Sequence, residues 1–243
     1  MERPTPEIPD LREKSFSSGQ MRFADHRLYV QLQVFTGCRD AQPVVQALAQ
    51  TELEAVVYAD VNDPLGIAVL TLTQDPTVLT TTLRATLTQQ VFSALTHRPE
   101  FTLFGRTYAV GYEPDLDEVL LHRPRRTAGN AAWPWAVWYP LRRKGTFTLL
   151  PEEEQRAILG EHGRIGQAFG AGDFAHDIRL ACYGMDTHDN DFVVGLVGKE
   201  LYPLSACVQA MRKTKQTSQY LEKLGPFFVG HAIWRHVAAA VAK

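Results

Sequence analysis

PEEEQRAILGEHGRIGQAFG, residues 151–170, reads as a helix on local chemistry alone. Pro151 suits the first helical position, and Glu152, Glu153 and Glu154 suit the positive end of the helix dipole. Ile158, Ile165 and Phe169 recur at helical spacing with His162 on their stripe, so the imidazole is expected to point where the core should be. Gly160, Gly163 and Gly166 interrupt this helix, each costing about 1 kcal/mol relative to alanine at an exposed position. They also remove bulk beside the imidazole and would let a flat partner approach the backbone. Taken alone, His162 reads first as a satisfied core histidine.

Working outward, WAVWYPL (135–141) precedes this helix as a strand, and HDIRLACYG (176–184) and FVVGLVG (192–198) follow it as two strands around DTHDND. LYPLSACVQAMRKT (201–214) is a helix with Leu201, Leu204, Val208 and Met211 inward, and FFVGHAIWR (227–235) is a last strand. The same order occurs earlier. RLYVQLQVF (27–35) is a strand, AQPVVQALAQT (41–51) a helix, and EAVVYADV and GIAVLTLT are strands flanking Asn62-Asp63-Pro64. A helix over about 76–96 and a strand at TYAVGYEP (107–114) complete the unit. The predicted fold is therefore α+β: two ferredoxin-like β-α-β-β-α-β halves, residues 26–132 and 133–243, forming an α+β barrel with helices outside. Residues 1–25 carry three prolines and little apolar surface, and are expected to be a flexible arm. Residues 115–134 read as a connection.

Composition narrows the function classes. The 243 residues are 45% hydrophobic and 21% charged, which is ordinary globular composition. A net charge of −2 gives no general attraction to nucleic acid or to an anionic membrane. Cys38, Cys182 and Cys207 are odd in number and lack CxxC spacing, which fits a reduced, cytoplasmic compartment. No apolar run is long enough for a membrane span, and MERPTPEIPDLREK lacks the apolar core of a secretion signal.

WYPL at 138–141, LLPEEEQRAILGEHGRIG at 149–166, YGMDTHDNDFVV at 183–194 and KLGPFFVG at 223–230 together resemble the chlorite dismutase family, in particular its coproheme decarboxylase branch in bacterial haem synthesis. The resemblance covers roughly 133–235 in sequence, and residues 1–130 only in predicted architecture. It implies a haem-dependent oxidoreductase with coproheme as substrate and cofactor, hydrogen peroxide as oxidant and a homopentameric assembly. Chlorite dismutation, a general haem peroxidase activity, haem binding or sensing without turnover, and a barrel serving only as an oligomerisation scaffold are the alternatives.

Residue by residue, the resemblance makes His162 of the EHG motif the axial ligand of haem iron and Tyr139 of the YP motif the catalytic tyrosine. A neutral imidazole among small residues suits the first role, and a phenol that can lose a proton and an electron together suits the second. Where the decarboxylases usually carry lysine, four residues after the tyrosine, this chain has Arg143. Arginine still pairs with a propionate but is a poor proton donor. The distal position, counted back from Gly184, falls on Asp177, with Arg179 on the same strand face as a substitute. An aspartate facing the iron disfavours chlorite and can act as a base toward peroxide.

Arg123, Arg125, Arg142 and Arg212 are candidate anchors for the propionates of a tetrapyrrole. Any one of them alone reads as solvated surface charge, so clustering around His162 decides their role. Asp186, His188, Asp189 and Asp191 of DTHDND resemble metal ligands, but Asp and Asn between two strands are turn chemistry, and no metal is assigned there. Cys182 and Cys207 read as core positions.

Overall fold

The computed structural model describes residues 7–238. Its strands are β1 (Glu13–Ser17), β2 (Gln20–Ala24), β3 (Tyr29–Thr36), β4 (Glu54–Asp60), β5 (Ile67–Thr73), β6 (Thr96–His97), β7 (Leu103–Arg106), β8 (Trp135–Arg143), β9 (His176–Ala181), β10 (Phe192–Gly198), β11 (Leu221–Leu224) and β12 (Phe228–His236). Its helices are α1 (Gln42–Ala49), α2 (Thr77–Thr80), α3 (Thr82–Leu87), α4 (Gln90–Ser93), α5 (Arg123–Gly129), α6 (Glu152–Ala171), α7 (Leu201–Met211) and α8 (Lys215–Tyr220). The order β10-β9-β7-β3-β5-β4-β12-β8 closes into an antiparallel barrel, because β8 pairs with β10 as well as with β12. The expected α+β barrel is the fold observed.

Strand alternation sorts the side chains into layers. Val30, Leu32, Tyr58, Leu70, Trp138, Ile178, Leu180, Val193 and Phe228 point into the barrel and form one buried cluster. Outside it, α1 to α4 cover the strands of the first half through Val44, Leu48, Leu83 and Phe92. On the second half, Val137, Tyr139, Leu141, Phe192 and Leu196 face outward toward α6 and α7. Gly195 lies opposite Trp138 across the β8–β10 ladder. A Cβ there would stand 2.5 Å from the indole, so the barrel interior requires glycine at this position.

Several local expectations give way to identifiable chemistry. Residues 13–24, read as part of an arm, form a β1–β2 hairpin. Ser18 and Gly19 both take positive φ, 52° and 75°, as a two-residue hairpin turn demands. Glu13 fastens the hairpin by its 2.8 Å ion pair to Arg106 and by accepting the Ala109 N–H. The helix expected over 76–96 is three short ones, since Thr80, Thr81, Thr86 and Thr88 turn their hydroxyls back onto carbonyls of the preceding turn.

No strand forms over 107–114. Both oxygens of Glu113 are occupied by the N–H groups of Val110 (2.6 Å), Gly111 (2.9 Å) and Tyr112 (3.0 Å), groups that a ladder would otherwise use. The closing strand is the earlier β7. Residues 115–134 are not a plain connection either: a π-helical turn over Glu118–His122 leads into α5.

Candidate functional site

Helix α6 stands off from the outer face of β8, β10 and β9, leaving a cavity of about 590 Å3, within the usual range for small-molecule and cofactor sites. His162, Gly163, Gly166, Gln167, Gly170 and Ala171 form its helical wall, a stripe that recurs every turn. The helix itself is mostly exposed, with Ile158 its buried residue. Of the residues expected to face a core, Ile158 and Phe169 do so, whereas His162 turns with the glycines toward a void that glycine supplies nothing to fill. A Cβ at Gly163 would meet nothing within 4 Å, and one at Gly166 only the tip of Met211 at 3.7 Å. Leu141, Val194, Leu196, Val208 and Met211 supply apolar surface opposite and beside this stripe.

His162 is positioned by the N-terminus of α8. Its Nδ1 lies 3.4 Å from Thr214 Oγ1, and neighbouring Glu161 accepts the Lys215 N–H at 3.0 Å. Burial first, then the positive charges of Arg143 and Arg179, hold its pKa below the ordinary histidine value, so the imidazole is neutral near pH 7. A neutral imidazole with Nε2 unengaged among the described residues could hold a metal.

The sheet wall is organised in cross-strand rows. Tyr139 on β8 and Arg179 on β9 both pair with Val194 of β10, and Val137 and Asp177 both pair with Leu196. Tyr139, Asp177 and Arg179 thus share one sheet face, and all three line the cavity. Tyr139 is 6% exposed and stacks on Phe227 with ring centroids 4.8 Å apart. Burial, with Cys207 and Asp177 nearby, raises its phenol pKa far above the usual value. Asp177 and Arg179 form an ion pair at 2.8 Å.

The predicted cations separate into two groups. Arg123 and Arg212 line the cavity with Arg179, and the buried Arg123 Nε has no hydrogen-bond partner among the described residues. Arg125, Arg142 and Arg143 are not part of the lining. Arg125 is paired with Glu54 at 2.8 Å, and Arg142 with Asp189 at 2.6 Å. The Arg143 guanidinium sits between Phe147 and Phe192, 4.9 and 4.5 Å from their ring centroids. In DTHDND, Asp186 accepts the His188 N–H and an Asn190 side-chain N–H, while Asp191 accepts the Arg143 N–H.

Cys207, read as a core position, also lines the cavity, its thiol pKa pushed up to about 11 by burial and Asp177. Sequence reading missed Val110, Tyr112, Glu113, Trp133, His176, Gln216 and Thr217 in the lining. Trp133 stacks on His176 at 3.7 Å, and Gln216 is buried with its Oε1 unpartnered. For the α8 pair there was a signal: Thr214-Lys215-Gln216-Thr217 is a helix-start pattern, and Thr214 does cap α8. A second groove of about 460 Å3 beside β3 has Arg84 as its charged residue and neither histidine, cysteine nor carboxylate, so the chemistry points to the α6 cavity.

Among known proteins, a profile described as chlorite dismutase matches residues 39–233. The chain belongs to the chlorite dismutase family. A coproheme decarboxylase from Mycolicibacterium smegmatis is 28% identical over 142 residues, a match spanning 54% of this chain and 58% of that protein's length. Among solved structures, a heme-binding protein from Thermus thermophilus superposes with a TM-score of 0.67 at 17% identity, covering 93% of this chain and 95% of that one. A chlorite dismutase from Candidatus Nitrospira defluvii gives 0.66 at 16% identity, covering 86% and 92%. At these identities the structural likenesses speak to the chlorite dismutase fold. No described helix is long and apolar enough to cross a membrane.

Proposed function

We propose that this chain binds an iron porphyrin in the α6 cavity through His162 Nε2 and acts as a haem-dependent oxidoreductase, with peroxide-dependent coproheme decarboxylation as its reaction. One observation carries the reading: a neutral, half-buried histidine lies on a glycine stripe, across a cavity of cofactor size from a sheet face bearing Tyr139. The residues fit a flat tetrapyrrole. Gly163 and Gly166 let its plane approach the helix, the apolar walls cover its faces, and Arg123 and Arg212 are placed to take carboxylates.

Haem, when bound, supplies one-electron oxidising power drawn from peroxide. Thr214 orients His162, and the apolar walls exclude water. With haem bound, Tyr139, held on Phe227, would give up its phenolic proton and an electron together and regain a hydrogen atom from a propionate side chain; a second electron, passed to the peroxide-derived oxidant, would then release carbon dioxide and leave a vinyl group. The homopentamer that the family resemblance implies, and the cytoplasmic compartment read from the cysteines, are proposed with it.

A second reading, haem binding without turnover, is favoured by one observation: Arg143, standing where the decarboxylases carry lysine, is sandwiched between two phenyl rings outside the lining. Chlorite dismutation is less well supported, because Arg179 is paired with Asp177. The discriminating experiment mixes the protein with iron coproporphyrin III, follows the Soret band, adds hydrogen peroxide stepwise and weighs the tetrapyrrole by mass spectrometry. Successive loss of two carboxyl groups, with binding abolished in His162→Ala, supports decarboxylation. Binding without mass loss supports the second reading, and no binding overturns both.

A further inference from the structure

We propose that Asp177 holds Arg179 in an internal ion pair on the sheet wall, so that the cavity face opposite His162 admits a neutral small co-ligand and turns away an anionic one. The inference rests on the haem reading above and names the class of molecule that reaches the iron-binding space.

The two side chains are neighbours on one strand face, and both line the cavity, each still more than a third exposed. Their contact, Arg179 Nε to Asp177 Oδ2 at 2.8 Å, is that of a close ion pair. The other charged groups on the lining show that this pairing is particular. Arg123 and Arg212 have no ion-pair partner among the described residues, and Arg126 is paired with Glu118 of the π-helical turn before α5. Glu113, the remaining carboxylate on the lining, is engaged by three backbone N–H groups and has little left to offer Arg179. The cavity thus keeps free cations for the carboxylates of a large ligand and, at β9, one cation already neutralised.

The electrostatic consequence follows from Coulomb's law. An unpaired guanidinium in a water-poor cavity attracts a small anion, whereas a pair presents a dipole whose field falls off faster and whose carboxylate repels the anion at short range. A tetrapyrrole filling the cavity excludes water from the pair, and separating the charges then costs more. A neutral, hydrogen-bonding molecule such as hydrogen peroxide meets no such barrier. It finds a donor and an acceptor side by side.

The test is ligand binding to the haem-loaded protein, followed in the Soret band at about pH 8, with fluoride as the anionic probe and imidazole as the neutral one. Asp177→Asn should raise fluoride affinity about tenfold or more and leave imidazole affinity within about twofold. Arg179→Gln, leaving a lone carboxylate, should lower fluoride affinity by a comparable factor. In the double variant D177N/R179Q the gain should vanish, since it acts through Arg179. Equal fluoride affinity in wild type and both single variants overturns the proposal, as does a gain that survives in the double variant. Wild-type protein that takes up no haem overturns this inference together with the haem reading, which separates the two failures. Should D177N not fold, R179Q decides alone: unchanged fluoride affinity there is incompatible with a screening pair.

Discussion

The Nδ1 of His162 faces the hydroxyl oxygen of Thr214 at 3.4 Å, and that hydroxyl donates its own hydrogen to the Met211 carbonyl at 2.8 Å. With its hydrogen engaged, the hydroxyl is left to accept, so the network places the imidazole proton on Nδ1 and the lone pair on Nε2. Thr214→Val keeps the shape and removes the acceptor. Haem affinity, measured by Soret titration, is expected to fall about 10- to 100-fold, as is usual when a ligating histidine loses its orienting partner. The melting temperature should fall by a few degrees, because the same hydroxyl caps α8, a loss of about 1 kcal/mol.

Tyr139→Phe removes one oxygen from a side chain held by stacking on Phe227 and by its place in the ladder opposite Val194. Haem binding and the Soret maximum should be retained. Loss of carbon dioxide from coproheme on peroxide addition should fall below detection, and an unchanged rate by mass spectrometry would remove Tyr139 from the mechanism.

Two glycines should respond oppositely to alanine. Gly195→Ala forces a methyl to within 2.5 Å of the Trp138 ring, and overpacking of this kind costs about 1–3 kcal/mol in urea unfolding. Gly163→Ala meets nothing within 4 Å and improves helix propensity, so the apoprotein should gain up to about 1 kcal/mol. The same methyl enters the cavity, and haem uptake should weaken.

The buried imidazole makes apoprotein stability depend on pH. His162 titrates below its ordinary value in the folded state, chiefly through burial, so the unfolded chain binds more protons as pH falls through about 6.5. Its contribution is fully present above that pH and is lost as pH drops toward the folded pKa. Urea unfolding between about pH 7.5 and 5 should show stability falling with acid, and His162→Gln should flatten that slope.

What sequence made legible follows from the range of each interaction. The strands from Tyr29 to Thr36 and from Phe192 to Gly198 announce themselves because alternation is a local property, and the order of elements then yields the barrel. His162 and Tyr139 stand in motifs, and both line the cavity. Arg123 could not be told from Arg125 by pattern: the two lie two residues apart, and what separates them is Glu54, whose carboxylate takes Arg125 from 71 residues away. Residues 107–114 were misread for a similar reason, since one carboxylate, Glu113, redirects three N–H groups that the β-like pattern assigns to a neighbouring strand. The Thr214 contact to His162 bridges 52 residues and leaves no periodic trace.

The alternation along β8 has an evolutionary meaning. Trp138 belongs to the barrel interior, while Tyr139 and Leu141 belong to the cavity wall. On β10 and β9 the same division sets Val193 and Ile178 apart from Val194 and Asp177. Every second position on three adjacent strands is thereby free to vary with the chemistry while its neighbours go on maintaining the fold. A lineage built this way can drift from one oxidant or tetrapyrrole to another by single replacements, without passing through an unfolded ancestor.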